Sequence, residues 1–174
     1  MERFNFRSAT AVDIPRLISL LNSAYRGDTA RKGWTHEADL IEGNNRTDAQ
    51  ELEDKLGRPD AVLLLCEDVS GELQGCVYLE KNHGDLYLGM LSVWPALQGK
   101  GIGRLLLQKA EEYAQSSGCT AIVMTVISVR TELLEWYQRN GYAATGEQEP
   151  FPNDPRYGKP RQPLYFIWLR KPIS

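Results

Sequence analysis

Six residues, Gln98-Gly99-Lys100-Gly101-Ile102-Gly103, constrain this chain more than any other stretch. They follow an apolar, strand-like run, Leu86–Val93, and a short turn at Trp94–Leu97, and they lead into an amphipathic helix pattern that begins at Ile102. A strand that ends in glycines and feeds a helix leaves backbone N–H groups at the positive end of that helix, which is a site for phosphate. The spacing discriminates among phosphate ligands. A P-loop needs G-x-x-x-x-G-K-[ST], and the residue five after Gly99 is Arg104. The dinucleotide fingerprint G-x-G-x-x-G needs a glycine at 104 or 106, which are Arg and Leu. It also needs an acid about 20 residues further on, where Ile122–Thr125 is an apolar strand pattern.

The 174 residues, 42% hydrophobic and 25% charged, predict one globular domain over 1–174 with a sizeable core. The net charge of −3, without a block of Lys and Arg, argues against a nucleic-acid face. No apolar run approaches the roughly 20 residues that span a bilayer, which argues against a membrane partner. Met1–Thr10 lacks the apolar core of a signal peptide, so the expected location is cytoplasmic. Cys66, Cys76 and Cys119 are odd in number and show no metal spacing with one another or with His36 and His83. They read as buried thiols in a reducing compartment, and no metal is expected.

Along the chain, Phe4–Arg7 reads as a strand, and Ile14, Leu17, Ile18, Leu21 and Tyr25 follow helical spacing behind a Thr10–Asp13 capping box. Asp48–Leu56 reads as a polar helix. Ala61–Glu67, Leu73–Lys81 and Leu86–Val93 form an antiparallel meander, with a hairpin turn at Asn82–Asp85. Ile102–Ser116 is an amphipathic helix and Ala121–Ile127 a β-branched strand, so this crossover predicts that the fourth and fifth strands run parallel. Thr131–Asn140 is a further helix and Tyr142–Thr145 begins a strand. Four prolines argue against regular structure over Glu147–Gln162, and Leu164–Arg170 is the last strand.

Two motifs coincide with this order. Gln98, Gly101 and Gly103 fit Q/R-x-x-G-x-G/A, and Tyr137, Gly141 and Tyr142 fit Y-x-x-x-G-[FY] on the helix after the fifth strand. In both motifs, and in element order over nearly the whole chain, the sequence resembles the GNAT family of N-acetyltransferases. The resemblance implies an α/β fold, a GNAT-like mixed, mostly antiparallel twisted sheet of about seven strands. Helices cover both faces, and the sheet is splayed between the fourth and fifth strands. It implies acetyl-CoA as cosubstrate, no metal, and acetyl transfer to a primary amine of a small molecule or peptide, made directly in a ternary complex. A non-catalytic acyl-CoA-binding or sensor module on the same fold is the alternative. The final strand, read as exposed, makes a homodimer possible.

Residue roles follow from the resemblance. N–H groups of Gly99, Lys100, Gly101, Ile102 and Gly103 would hold the diphosphate, Gln98 would fix the loop or donate a side-chain contact, and Lys100 and Arg104 would add charge or face solvent. The strand edge at Leu91, Ser92 and Val93 would pair with the pantetheine arm, and Gly89 marks a bulge or a close approach. The Leu91 N–H would face the acyl oxygen, and such a donor is typically worth about 2.7–4 kcal/mol. Tyr137, protonated at neutral pH, would be the general acid for the leaving thiolate. Many family members carry Asn seven residues before this tyrosine. Arg130 stands there, facing cofactor, acceptor carboxylate or solvent, and Ser128 could supply a polar contact to the cofactor. The base is Glu80, Asp85 or Glu37, acting directly or through water. Trp34–Glu42, the end of Leu73–Lys81 and Glu149–Pro163 would enclose the acceptor, with Trp34 and Glu37 as substrate contacts.

Overall fold

The computed structural model describes residues 3–25, 41–42, 47–151 and 159–173. Its strands are β1 (Asn5–Ser8), β2 (Ile41–Glu42), β3 (Ala61–Glu67), β4 (Leu73–Asn82), β5 (Asp85–Val93), β6 (Ala121–Ile127), β7 (Ala143–Pro150), β8 (Lys159–Pro160) and β9 (Tyr165–Pro172). The helices are α1 (Ile14–Tyr25), α2 (Ala49–Leu56), α3 (Ile102–Ser116) and α4 (Thr131–Arg139). Seven strands form one mixed sheet in the order β1-β3-β4-β5-β6-β9-β7, and β2 pairs separately with β8. Among the described residues only β5 and β6 pair in parallel, joined by the α3 crossover.

Both faces of the sheet are covered. On one face, Leu17, Leu20 and Leu21 of α1 bury against Leu63, Leu65, Tyr78 and Met90. On the other, Leu106, Ala110 and Ala114 of α3 bury against Val77, Leu79, Leu86, Leu88 and Ile122. This two-sided burial is why Ala61–Glu67 reads as an unbroken apolar run rather than an alternating one. Each fully buried leucine contributes about 1.5–3 kcal/mol to holding helices and sheet together.

The β4–β5 hairpin turns through His83 (φ 51°) and Gly84 (φ 88°), the two left-handed residues of a type I′ turn. The tip is tied to the start of β6 by the Thr120 N–H, which donates to the Gly84 carbonyl at 2.8 Å. From there β5 and β6 pair at Asp85–Ala121, Leu86–Ile122 and Tyr87–Val123, and then separate. The separation coincides with a bulge. On β5 three steps lead from Gly89 to Ser92, while on β4 two lead from Tyr78 to Cys76, and Met90 has φ 52°. The extra residue switches strand parity, so that Leu86, Leu88, Leu91 and Val93 all face α3 while Met90 faces α1. Meanwhile β6 stays paired with β9 along its whole length, from Ala121–Pro172 to Ile127–Phe166. The sheet therefore opens between its fourth and fifth strands.

Two expectations are corrected. The last strand, β9, is not an edge. It lies between β6 and β7, and β7 is exposed throughout. The prolines of 147–162 do not abolish regular structure, because β7 runs on to Pro150 and Lys159–Pro160 pair with Ile41–Glu42. A proline costs little on an edge strand, where the missing N–H faces solvent.

Candidate active site

The glycine loop has a backbone reason for its composition. Gly99 (φ 84°) and Gly101 (φ 87°) are left-handed, with no atom within 4 Å of where a β-carbon would stand, so conformation rather than space demands glycine. Gly101 is the N-cap of α3. The first intrahelical bond runs from the Leu105 N–H to the Gly101 carbonyl at 3.1 Å, so the N–H groups of Ile102, Gly103 and Arg104 have no intrahelical acceptor. The Gln98 Nε2 group donates to the Val93 carbonyl at 3.2 Å and anchors the loop to the end of β5.

A cavity of about 350 Å³ begins at this loop and runs along the β5 edge, walled by Leu91, Ser92, Val93, Gln98, Arg104 and Trp136 among others. A second cavity, of about 300 Å³, fills the split between β5 and β6, from Leu88–Leu91 on one side to Met124–Ile127 on the other. Leu91, Leu133 and Tyr137 belong to both. Tyr137 is 6% exposed, its ring held edge-on by Trp136 (5.0 Å between centroids) and Tyr142 (5.7 Å). The Met90 carbonyl accepts from Ser92 Oγ (3.1 Å) and Cys76 Sγ (3.5 Å). The planar trans peptide therefore directs the Leu91 N–H the opposite way.

Among the remaining expected site residues, Arg104 stands in the first cavity's wall, whereas Lys100 lines a separate surface pocket beside Arg3 and Asp68. Ser128 lines neither main cavity, and its N–H donates to the Tyr165 carbonyl at 2.8 Å. Arg130 lines the split cavity and not the loop cavity. Asp85 lies at the closed end of the β5–β6 seam, paired with Arg170 at 2.8 Å. Trp34 and Glu37 fall outside the described residues. Two segments expected around the acceptor do meet, as Ile41 pairs with Pro160 and Glu42 with Lys159.

Glu80 is not in the cavity wall itself. Its Oε1 accepts from the Tyr78 hydroxyl at 2.5 Å and from Arg58 at 2.9 Å, and Tyr78 is in the wall. Burial pushes the Glu80 carboxyl up, but the Tyr78 and Arg58 hydrogen bonds and nearby cations outweigh it and hold the pKa below the usual range. Burial and then Glu80 raise that of the Tyr78 phenol.

The far wall of the split cavity holds residues the sequence did not single out. Tyr87 packs edge-on against both Tyr78 (6.4 Å) and Trp168 (6.2 Å), whose Nε1 donates to Glu149 at 3.0 Å. From α2 come Glu51, held by Thr47 Oγ1 at 2.6 Å, and Lys55, whose ammonium lies 4.3 Å from the Tyr78 ring centre. Glu51 and Lys55 sit four apart on a helix whose polar composition reads as a solvated face. Only that spacing could have flagged them.

Cys76 acts on this site through the Met90 carbonyl behind Leu91. No cysteine is among the described residues that line either main cavity. Burial pushes the Cys66 thiol up to about 12 and raises Cys119 as well. Among the described residues, no three His, Cys, Asp or Glu side chains gather as a metal site would require.

A helix N-terminus bared by glycines opens onto a sheet parted beside it, which is the arrangement that the resemblance to an acyl-CoA-dependent transferase implies. The sequence pattern of the acetyltransferase (GNAT) family matches residues 17–142, and the chain belongs to that family. It is 28% identical over 116 residues to the IAA acetyltransferase of Azospirillum brasilense, covering 66% of this chain and 72% of that protein. Its fold matches the ribosomal-protein-S18-alanine N-acetyltransferase of Escherichia coli with a TM-score of 0.72 at 13% identity, over 99% of this chain and 95% of that one. It also matches the PaiA N-acetyltransferase of Thermoplasma acidophilum in complex with coenzyme A, with a TM-score of 0.69 at 17% identity, over 98% and 99% of the two chains.

Proposed function

We propose that this chain moves the acetyl group of acetyl-CoA to a primary amine of a small molecule or peptide by direct transfer in a ternary complex. The observation that carries this reading is the meeting of two cavities at Leu91, Leu133 and Tyr137. One cavity is bounded by anion-binding backbone and the other by aromatic and charged side chains, so donor and acceptor can arrive from opposite sides of one seam.

Gly99 to Arg104 fit a diphosphate, because their left-handed glycines turn backbone donors outward at a helix start. Leu91 to Val93, on the edge that β6 vacates, fit the pantetheine amides. Acetyl-CoA supplies the activated acyl thioester. The Leu91 N–H, opposed to a Met90 carbonyl fixed by two donors, stabilises the acyl oxygen as it gains charge. Tyr137 protonates the departing thiolate. Glu80 draws the amine's proton by way of the Tyr78 hydroxyl that it already binds. The absence of cysteine from the described cavity walls supports direct transfer over an acyl-enzyme. We place the protein in the cytoplasm; no helix among the described residues is long and apolar enough to cross a membrane.

Calorimetric titration with acetyl-CoA, followed by thiol-release assays over a panel of amines, tests this. Saturable binding and amine-dependent release of CoA are expected. Binding without release on any amine identifies the sensor module instead, and no binding at millimolar acetyl-CoA removes the reading altogether.

A further inference from the structure

Resting on the activity just proposed, we infer that the acceptor is a free α-amino acid with an apolar side chain, its carboxylate bound by Arg130. Arg130 belongs to the acceptor side. It lines the split cavity together with Glu149, Phe151 and Trp168, and it is absent from the cavity that begins at the glycine loop. Arg130 is half-buried as a residue, and the five N–H donors of an arginine's planar fork match a carboxylate.

The helix places this cation close to the chemistry. Arg130 caps α4, and Leu133 and Tyr137 follow it three and seven residues on. Seven residues at 1.5 Å per residue set the two α-carbons about 10 Å apart, within the combined reach of an arginine and a tyrosine that line one cavity. A helical side chain covers the turn before its own α-carbon, which leans Tyr137 toward Arg130. An amine at Tyr137 and a carboxylate at Arg130 then belong on neighbouring atoms of one small molecule.

The rest of the wall fits the rest of such a molecule. Phe151 and Phe166 pack 5.4 Å apart, and with Trp168 and Tyr87 they give an aromatic surface for an apolar side chain. Among the described residues of the wall, Glu51 and Glu149 answer Lys55 and Arg130 in sign, a balance that suits a zwitterion. The α-amino group of a free amino acid also sheds its proton more readily than a lysine-type amine, which suits a site whose candidate base is held in an ion pair.

The test compares L-phenylalanine with L-phenylalaninamide and 2-phenylethylamine, using the full chain and saturating acetyl-CoA. The amino acid is expected to exceed both by about tenfold or more in kcat/KM, the worth of one charge-assisted contact. Arg130→Gln should bring that ratio close to one while acetyl-CoA affinity stays constant, and Arg130→Lys should keep part of it. Titration of L-phenylalanine into the CoA-saturated protein should give binding that Arg130→Gln abolishes. Equal or better use of the amide or the amine overturns the inference and leaves the acetyltransferase reading standing. So does a ratio that survives Arg130→Gln. CoA release with none of the three, or with no amine of a wider panel, overturns this inference in the first case and both readings in the second.

Discussion

Gly103 of α3 lies against Trp136 of α4: a β-carbon at Gly103 would stand 3.4 Å from two carbons of the indole. The glycine that the proposed reading sets beside the diphosphate also fixes how closely the helix bearing Tyr137 approaches. A methyl group fits at ordinary contact distance, whereas a larger side chain must push Trp136 aside.

Gly103→Ala is therefore expected to keep acetyl-CoA affinity and to gain up to about 1 kcal/mol from helix propensity. Gly101→Ala has open space around it yet forces a left-handed backbone, and should cost about 1–2 kcal/mol and weaken acetyl-CoA binding. Thermal denaturation and calorimetric titration of both variants check this. The reverse order of stability would show that space, not φ, governs the loop.

Tyr137→Phe keeps the ring between Trp136 and Tyr142 and removes only the hydroxyl. We expect kcat to fall by about 10²-fold or more, the usual worth of a general acid, with acetyl-CoA affinity nearly unchanged. Steady-state kinetics and titration decide between this role and packing, since a packing residue would lower affinity or melting temperature along with turnover.

The candidate site was legible where backbone conformation dictates residue type, and obscure where tertiary contacts do. Gly101 and Tyr137 belong to local patterns, so loop and helix could be read directly. Gly89 drew attention to mid-β5, but the left-handed residue is its neighbour Met90, and Gly89 instead makes room for Tyr87, whose ring lies 2.9 Å from a β-carbon there. A bulge depends on pairing with β4, which one strand's sequence does not contain. Tyr87 and Trp168 alternate as strand aromatics should, and only the parting of β5 from β6 turns them from core into cavity wall. The position of β9 depends on a long return connection, which carries no local signal.

At the far end of the sheet, Arg7 and Arg16 bind Asp13 and Glu67, with Arg7 to Asp13 at 2.8 Å and Arg16 to Glu67 at 2.5 Å. Hydrogen bonds from Arg7 are the main reason that both carboxyls lie below their ordinary values of 3.8 and 4.5. Depressed folded-state values contribute stability that is complete above those ordinary values and drains away as pH falls through the folded ones. Stability should therefore decline steeply below about pH 4.5. Asp13→Asn should flatten that decline and cost about 1–3 kcal/mol at pH 7, a discounted figure because both guanidiniums are partly exposed. Urea denaturation at pH 3, 4 and 7 measures both effects, and an unchanged acid slope in the variant would assign the decline to other groups.

Glu80 makes a different prediction about activity. Because Arg58 and Tyr78 keep its carboxyl below the ordinary 4.5, it is ionised throughout the neutral range, and its titration cannot shape activity there. The rise of kcat/KM with pH should instead follow the acceptor's own amine, with a midpoint near 8 for a peptide's terminal α-amino group, higher for a free amino acid whose carboxylate steadies the ammonium, and above 10 for a lysine-type amine. Glu80→Gln should leave that midpoint in place. It should lower kcat by less than the ~10² of a well-matched base, since a carboxylate so acidic pulls weakly on an amine's proton. Profiles from pH 6 to 10 on two acceptors of different pKa, in wild type and variant, separate the possibilities. A midpoint that stays fixed when the acceptor changes, or that moves with Glu80→Gln, would place the titrating group on the protein and end this account of proton removal.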